Sequence, residues 1–162
     1  METEVIISII GAITGSIGMI TGVGALILGI LSFRSNYLDS ISSYFTQARS
    51  EAIVQGKKII YNSNPQQIEE MLDDFPNKVP DSIIEVINFY HNWGMMLKLH
   101  KIPRLHFYNK KGKTASGVAV TKTYLKLKPI IDCYRLNNPE YAEYYIYLYN
   151  EIDKHTPPLA PN

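Results

Sequence analysis

The chain has 162 residues, a formal net charge of +1 and a single cysteine, Cys133. This length is enough for one domain and one membrane anchor, and a single cysteine excludes an internal disulfide, which suits a reducing compartment. The small net charge hides an asymmetry: residues 66–85 hold six acids and one base, whereas residues 98–135 hold ten bases and one acid. So basic a stretch implies an anionic partner, inside or outside the protein.

An uncharged run of 29 residues, from Val5 to Phe33, lies near the start of the chain. As a helix this run is about 43 Å long, against a bilayer core of about 30 Å, so it predicts one tilted span. Its acidic flank and long apolar core are unlike a cleavable signal peptide. The first bases follow the run, at Arg34, Arg49, Lys57 and Lys58. We therefore expect the N-terminus outside and the following domain in the cytoplasm.

Small residues recur through this span at alternating spacings of three and four. They are Ser8, Gly11, Gly15, Gly18, Gly22, Ala25, Gly29 and Ser32. Positions with this spacing share one helix face, and small residues allow membrane helices to approach closely. The stripe therefore predicts a homo-oligomer held together by its anchors.

The rest of the chain is predicted to be mainly α-helical. We divide it into an anchor (1–34), a helical stalk (35–62), a cytosolic domain (63–154) and a disordered tail (155–162). The stalk pattern ends before Asn62-Ser63-Asn64-Pro65, where Pro65 suits the first position of a short helix reaching Phe75. Residues 104–121 are compatible with two short strands of a β-hairpin or with irregular chain.

Three further helices are predicted in the domain. Ser82 with Glu85 indicates a capping box for a helix over residues 83–100. A second helix covers residues 119–135, where Pro129 marks a kink or a first turn, and a third begins at Asn138-Pro139-Glu140 and ends near Lys154. In this last helix an apolar stripe predicts a core face or, alternatively, a subunit interface: Tyr141, Tyr145, Leu148 and Ile152. Cys133 is expected in the core.

A basic loop at residues 110–117 reads Lys-Lys-Gly-Lys-Thr-Ala-Ser-Gly. Its Gly-Lys-Thr imitates the end of a P-loop, but Phe107 stands where that motif needs its first glycine, so a nucleotide triphosphatase is excluded. Lysine charge and free backbone N–H groups can still hold a phosphate, and neighbouring aromatics can stack a base. The candidate ligand-binding residues are Arg104, His106, Phe107, Tyr108, Lys110, Lys111 and Lys113, with Lys122 and Lys126 as a second patch.

Two other partners fit the same basic region. Anionic lipid headgroups are close to any domain tethered at the inner leaflet. Acidic helices of the same protein could instead neutralise the bases across a subunit contact. An enzyme is not expected, because no nucleophile motif or carboxylate pair stands out. No metal or cofactor is expected either, because the four histidines lack metal-ligand spacing: His91, His100, His106 and His155.

The whole layout, a glycine-striped anchor, a stalk and a small basic domain, resembles type III CRISPR-associated membrane effectors of bacterial antiviral defence. The resemblance implies a cytosolic domain that binds cyclic tetra-adenylate, no duplex nucleic acid, and anchors in the bacterial inner membrane that respond to the ligand. The chain is also similar to single-span bacterial proteins with an Asn-Phe-Tyr…Gly stretch and a later Leu-x-Pro-Ile…Arg stretch. These residues are Asn88, Phe89, Tyr90 and Gly94, then Leu127, Pro129, Ile130 and Arg135. The alternative function is a membrane-tethered adaptor whose basic face recruits an acidic protein or anionic lipid.

Overall fold

The structure, a computed structural model, describes residues 2–155, except for the side chains of residues 2–17, 19, 20 and 33. In this part of the chain the elements are α1 (Glu2–Ala48), α2 (Glu51–Asn62), α3 (Pro65–Glu70), α4 (Asp81–Lys98), a 3₁₀ turn (Arg104–His106), β1 (Tyr108–Asn109), β2 (Gly112–Lys113), α5 (Ala115–Asn137) and α6 (Glu143–Lys154). The predicted mainly helical fold is confirmed, and the two strands pair antiparallel as a hairpin.

The chain divides into two compact units, residues 1–40 and 41–162. The first unit belongs to α1. Among the described residues no helix is both long enough and apolar enough to cross a membrane. The predicted span lies largely outside the described side chains, as do three positions of the small stripe, Ser8, Gly11 and Gly15. Within the described residues, a Cβ added at Gly18, Gly22 or Gly29 would meet nothing within 4 Å.

The core of the second unit forms around α4, which packs against α2 and α6. Two glycines allow this approach. A side chain at Gly56 of α2 would collide with the Ser82 carbonyl of α4, and one at Gly94 of α4 would collide with the Tyr144 carbonyl of α6. The two contacts therefore join helix backbones directly, and any larger residue there would separate the helices.

Most of the largest core side chains come from these helices and from α5. The fully buried ones include Tyr90, Tyr145, Ile60, Ile83, Leu127, Ile130, Leu148 and Ile152. The predicted core face of the last helix is confirmed for Tyr145, Leu148 and Ile152, which have no exposed surface. Tyr141, the fourth predicted member, lies before α6 and is half-buried. Cys133 is only half-buried, so its predicted core position was wrong. Its helix, α5, carries the buried residues on a different face.

The junction between α2 and α3 follows the predicted boundary. Helix α2 ends at Asn62, and Pro65 occupies the first turn of α3. The Asn64 side chain accepts a hydrogen bond from the Gln67 N–H at 2.9 Å, and the Gln67 side chain accepts one from the Asn64 N–H at 2.9 Å. This reciprocal pair satisfies two free donors at the helix start. However, α3 ends at Glu70, before the predicted end at Phe75.

The predicted stalk helix is corrected by the structure. The helix expected through residues 35–62 is interrupted at Arg49 and Ser50, because α1 closes with the bond from Ser50 N–H to the Gln47 carbonyl at 3.0 Å. Ser50 then adopts an extended ψ of 146°. Helix α2, with Ile53 and Gly56 buried, packs into the second unit.

The predicted capping box at Ser82 is absent. Helix α4 starts at Asp81, two residues before the predicted first helical residue, and its N-cap is Pro80 with no side-chain cap. Pro80 is extended, with ψ 138°, and its carbonyl already accepts the Ile83 N–H at 2.9 Å. Ser82 therefore has helical neighbours on both sides and cannot adopt the non-helical conformation of an N-cap.

The final helix begins later than predicted. Asn138-Pro139-Glu140 forms a turn, in which the Asn138 carbonyl accepts the Tyr141 N–H at 2.9 Å. Helix α6 begins at Glu143, after Ala142 reverses the chain with φ 55°. Helix α5, by contrast, is longer than predicted and contains Pro129 in its interior.

The C-terminus of α4 closes with a Schellman motif. The Lys101 N–H donates to the Met96 carbonyl at 2.9 Å, and the His100 N–H donates to the Leu97 carbonyl at 3.0 Å. His100 lies in the left-handed region, with φ 55°, at the position where glycine is most common.

Candidate anion-binding surface

The hairpin is fixed rigidly to the N-terminus of α5. Thr114, the N-cap of α5, donates its hydroxyl to the His106 carbonyl at 2.6 Å and accepts the Gly117 N–H at 3.2 Å. Its backbone N–H donates to the Phe107 carbonyl at 3.0 Å. A side chain at Gly117 would collide with that same carbonyl. The chain on both sides of the loop is therefore held in one conformation.

Two lysines occupy the loop between the strands. Lys110 and Lys111 are exposed, and neither makes an ion pair with a described residue. The turn is closed by the Asn109 side chain, which accepts the Lys111 N–H at 2.7 Å, and by Gly112, whose φ of 117° favours glycine. The backbone thus presents two lysines together at the tip of the hairpin.

Arg104 and Lys113 differ in their surroundings. Arg104 is exposed and makes no ion pair within the described residues. Lys113 instead points to α6, where its ammonium lies 3.4 Å from the Asp153 carboxylate and only 17% of the side chain is exposed. Lys113 is therefore partly neutralised within the domain.

The two aromatic residues predicted to stack on a base are buried. Phe107 has no exposed surface and Tyr108 is 5% exposed. The Tyr108 ring stacks on His155, with 4.7 Å between centroids and 15° between planes. Burial raises the pKa of Tyr108, and the nearby Glu151 carboxylate adds to this effect. Neither ring offers an open face to a ligand, because both are used in packing.

His106 also faces inward. Its ring lies 4.4 Å from Tyr44, 5.9 Å from Phe45 and 4.8 Å from Phe107. Its Nε2 atom is buried without a hydrogen-bond partner among the described residues. Burial lowers the pKa of His106, so the neutral imidazole is favoured. The structure therefore places His106 behind the hairpin, as a packing residue.

The second predicted patch is divided by the structure. The Lys126 ammonium donates to three carbonyls, those of Ile60 at 3.0 Å, Tyr61 at 2.9 Å and Ser63 at 3.1 Å. These carbonyls lie at the C-terminal end of α2, so Lys126 caps that helix and its three donors are occupied. Lys122 is exposed, about 10 Å along α5 from the first helical residue at a rise of 1.5 Å per residue.

Two features of this region were not predicted from the sequence. Tyr44, near the end of α1, packs with its ring 4.8 Å from Trp93, 5.2 Å from Phe89 and 4.4 Å from His106. Tyr44 is 4% exposed, and burial raises its pKa to about 12. The neighbouring Phe45 is the more exposed of the two, at 48%.

Lys57 is the second unpredicted feature. Its ammonium lies 5.0 Å from the centroid of Phe89 and 5.4 Å from that of Tyr90. Burial lowers the pKa of Lys57, and the two ring faces partly replace the lost hydration. No periodicity in the sequence pairs a lysine of one helix with the rings of another.

The described residues contain no group of histidine, cysteine, aspartate and glutamate side chains that could hold a metal ion. Of the nine predicted ligand residues, Arg104, Lys110, Lys111 and Lys122 are exposed, without an ion pair to a described residue. No protein-family model, curated protein or solved structure matches the chain.

Proposed function

We propose that the chain is an oligomeric, membrane-anchored bacterial effector whose helical domain binds a phosphate-bearing anion at the hairpin surface. The observation that carries the proposal is the pair of exposed lysines, Lys110 and Lys111, held on a rigid turn without an acidic partner among the described residues. A solvated basic turn needs no such fixed backbone. Charge presented on a rigid turn binds an anion at a lower entropic cost than charge on a mobile loop.

The burial of Phe107 and Tyr108 defines which part of a ligand would be recognised. Without open aromatic faces, stacking contributes little and the phosphates supply most of the binding free energy. A cyclic oligoadenylate, which the resemblance to CRISPR-associated effectors implies, carries several phosphates in a symmetric ring. Repeated phosphates suit repeated subunits.

The same burial favours a second candidate function, the membrane-tethered adaptor. Anionic lipid headgroups and acidic protein surfaces are recognised by charge alone, and neither requires a stacking face. In this alternative the hairpin holds the domain against an anionic surface, and no signal reaches the anchor.

The contacts behind the hairpin suggest how a ligand would act on α1. Arg104 and the two loop lysines flank His106 and Phe107 in sequence, and both of these pack on Tyr44. Tyr44 belongs to the last turns of α1. A ligand that favours one position of the hairpin therefore changes the packing of Tyr44, and a shift in population requires only this difference in affinity.

Anchoring and oligomerisation rest on the sequence of α1. The uncharged run predicts the span, and the bases after it predict a cytoplasmic domain at the inner membrane. The open Cβ positions of Gly18, Gly22 and Gly29 are compatible with close packing against a second helix. A reporter fused after Asn162 should be active only in the cytoplasm.

The test uses the full chain in nanodiscs of zwitterionic lipid. Cyclic tetra-adenylate and linear oligoadenylate are titrated, and binding to vesicles with anionic lipid is measured in parallel. The double substitution Lys110→Ala/Lys111→Ala should weaken binding of the preferred ligand about tenfold or more, because each lost charged contact is worth roughly 1.5–3 kcal/mol. The control Lys98→Ala/Lys101→Ala removes two other exposed lysines, the last residue of α4 and one in the turn after it.

The outcomes separate the candidates. Nucleotide binding that depends on Lys110 and Lys111 supports the effector. Vesicle binding with the same dependence, and no nucleotide binding, supports the adaptor. Equal loss of binding in the control variant, or no binding to any of the three probes, contradicts an anion-binding role for the hairpin.

A further inference from the structure

Helix α5 has apolar residues on two opposite faces. One face is buried in the domain and includes Val120, Leu127 and Ile131, none of which has exposed surface. The other face is exposed, with Leu136 at 83%, Leu125 at 56% and Val118 at 38%. A helix at the surface of a monomer normally presents polar residues there, so the exposed face of α5 indicates a contact surface.

The exposed residues form one continuous stripe. Val118, Lys122, Leu125, Pro129, Asp132 and Leu136 follow one another at spacings of four and three, and all six are exposed. At about 100° per residue, the six positions lie within an arc of roughly 80°. Alternating spacings of three and four are the pattern by which one helix packs lengthwise against another.

The stripe has the same arrangement in both directions. The midpoint of the stripe lies between Leu125 and Pro129, at the height of residue 127 along the helix. Lys122 and Asp132 are equally distant from this midpoint, as are Val118 and Leu136. When two such stripes pack antiparallel with a two-fold axis through this midpoint, Lys122 of each helix faces Asp132 of the other. The apolar positions then face apolar positions. Self-complementarity of this kind is what a two-fold interface requires.

We infer that the exposed face of α5 binds a second copy of this chain, with the two α5 helices antiparallel and paired by Lys122 and Asp132. The charge pattern decides between occupants. An unrelated apolar partner would cover Lys122 and Asp132 without supplying an opposite charge, whereas a second copy supplies one to each. Asp132 already contacts Lys128 of its own helix, and its carboxylate has acceptor capacity for a second cation.

The size of the interface explains how it would work. A helix of 23 residues is about 34 Å long, and one pair of such helices buries less than the roughly 1,200–2,000 Å² of a stable free dimer. Anchoring both copies in one membrane raises their effective concentration, so a small interface suffices. This interface is independent of the glycine stripe and of any ligand at the hairpin.

Cysteine crosslinking of the full chain in its membrane tests the face directly. In a Cys133→Ser background, Leu125→Cys places one cysteine near the two-fold axis, where a short bis-maleimide should yield a covalent dimer. Asn92→Cys, exposed on α4, is the matched control for random encounters between anchored copies. Fluorescence of Trp93, the only tryptophan, confirms that each variant is folded.

Charge reversal then tests the register. In the Leu125→Cys background, Lys122→Asp and Asp132→Lys should each lower the crosslinked fraction about fivefold, because each places like charges opposite one another twice. The double variant should recover to within about twofold of the parent. Crosslinking no greater than that of Asn92→Cys, or losses that add instead of cancelling in the double variant, would overturn the proposal.

Discussion

Lys126 offers the sharpest test of how this domain is held together. Replacing it with methionine keeps most of the apolar stem but removes the ammonium that bonds to the carbonyls of Ile60, Tyr61 and Ser63. A hydrogen bond to a charged group contributes roughly 1.5–3 kcal/mol, and a cation at a helix C-terminus roughly 0.3–1 kcal/mol. Because the site is partly exposed, water can replace part of the hydrogen bonding that the ammonium supplies. We therefore expect Lys126→Met to lose about 2 kcal/mol in total.

The loss is large enough to measure. The second unit spans residues 41–162, and for a domain of that size 1 kcal/mol shifts Tm by about 4 °C, so Tm should fall by about 8 °C. Thermal unfolding of the full chain in detergent can be followed by the fluorescence of Trp93, because this side chain is only 5% exposed in the folded domain. Lys128→Met, which removes only an exposed i,i+4 ion pair, is the control and should leave Tm nearly unchanged.

A different result would refute this account. If Lys126→Met unfolds at the same temperature as Lys128→Met, the three carbonyl bonds do not stabilise α2. If it also weakens anion binding while Tm is unchanged, Lys126 belongs to the ligand surface, as the sequence predicted.

Three other substitutions probe the aromatic cluster and the helix contacts. Tyr44→Ala should lose about 3–5 kcal/mol in denaturant unfolding, as large aromatic truncations in cores do, whereas Phe45→Ala, at 48% exposure, should lose much less; equal losses would contradict the packing of Tyr44. Because burial lowers the pKa of His106, its contribution is complete above about pH 6.5 and is lost as pH falls toward the lowered pKa. The fall in Tm from about pH 7 to pH 5 should therefore be smaller in His106→Gln than in the parent, and an identical fall would exclude His106 as the cause. Gly94→Ala, whose new methyl would collide with the Tyr144 carbonyl, should lose about 1–3 kcal/mol or more, and unchanged stability would show that α4 and α6 are not in backbone contact.

The helices were largely predictable, because their signals are local. Pro65 and Asn64 define the start of α3 from four neighbouring residues, and the spacing of Tyr145, Leu148 and Ile152 identified the buried face of α6. The boundary at Ser82 failed because two signals competed there. Pro80 can itself precede a helix, and nothing in the sequence shows which residue is extended.

The candidate site was predicted less well, because composition does not show whether a side chain points to solvent or into the protein. Lysine, histidine and tyrosine are common both on ligand surfaces and in packed contacts. Lys126 bonds to carbonyls more than 60 residues away in sequence, and Tyr108 stacks on His155, which was expected in a disordered tail. Such pairs depend on the tertiary fold. Lys110 and Lys111 are exposed, because a short turn leaves them no core to enter, and their role in binding an anion stays a prediction.

The Schellman motif at the end of α4 contains a residue, His100, whose replacement should stabilise the domain. His100 has φ 55°, where a side chain is disfavoured by roughly 1–2 kcal/mol, while glycine there adds an unfolded-state entropy penalty of roughly 0.5–1 kcal/mol. The substitution His100→Gly should therefore gain up to about 1 kcal/mol without altering any contact described for the hairpin. A chain carrying it is a suppressor background, in which damaging variants of Tyr44 or Gly94 can still be purified and compared. The added free energy of unfolding would also let chains that carry His100→Gly accept destabilising substitutions on the basic surface that the parent chain could not tolerate.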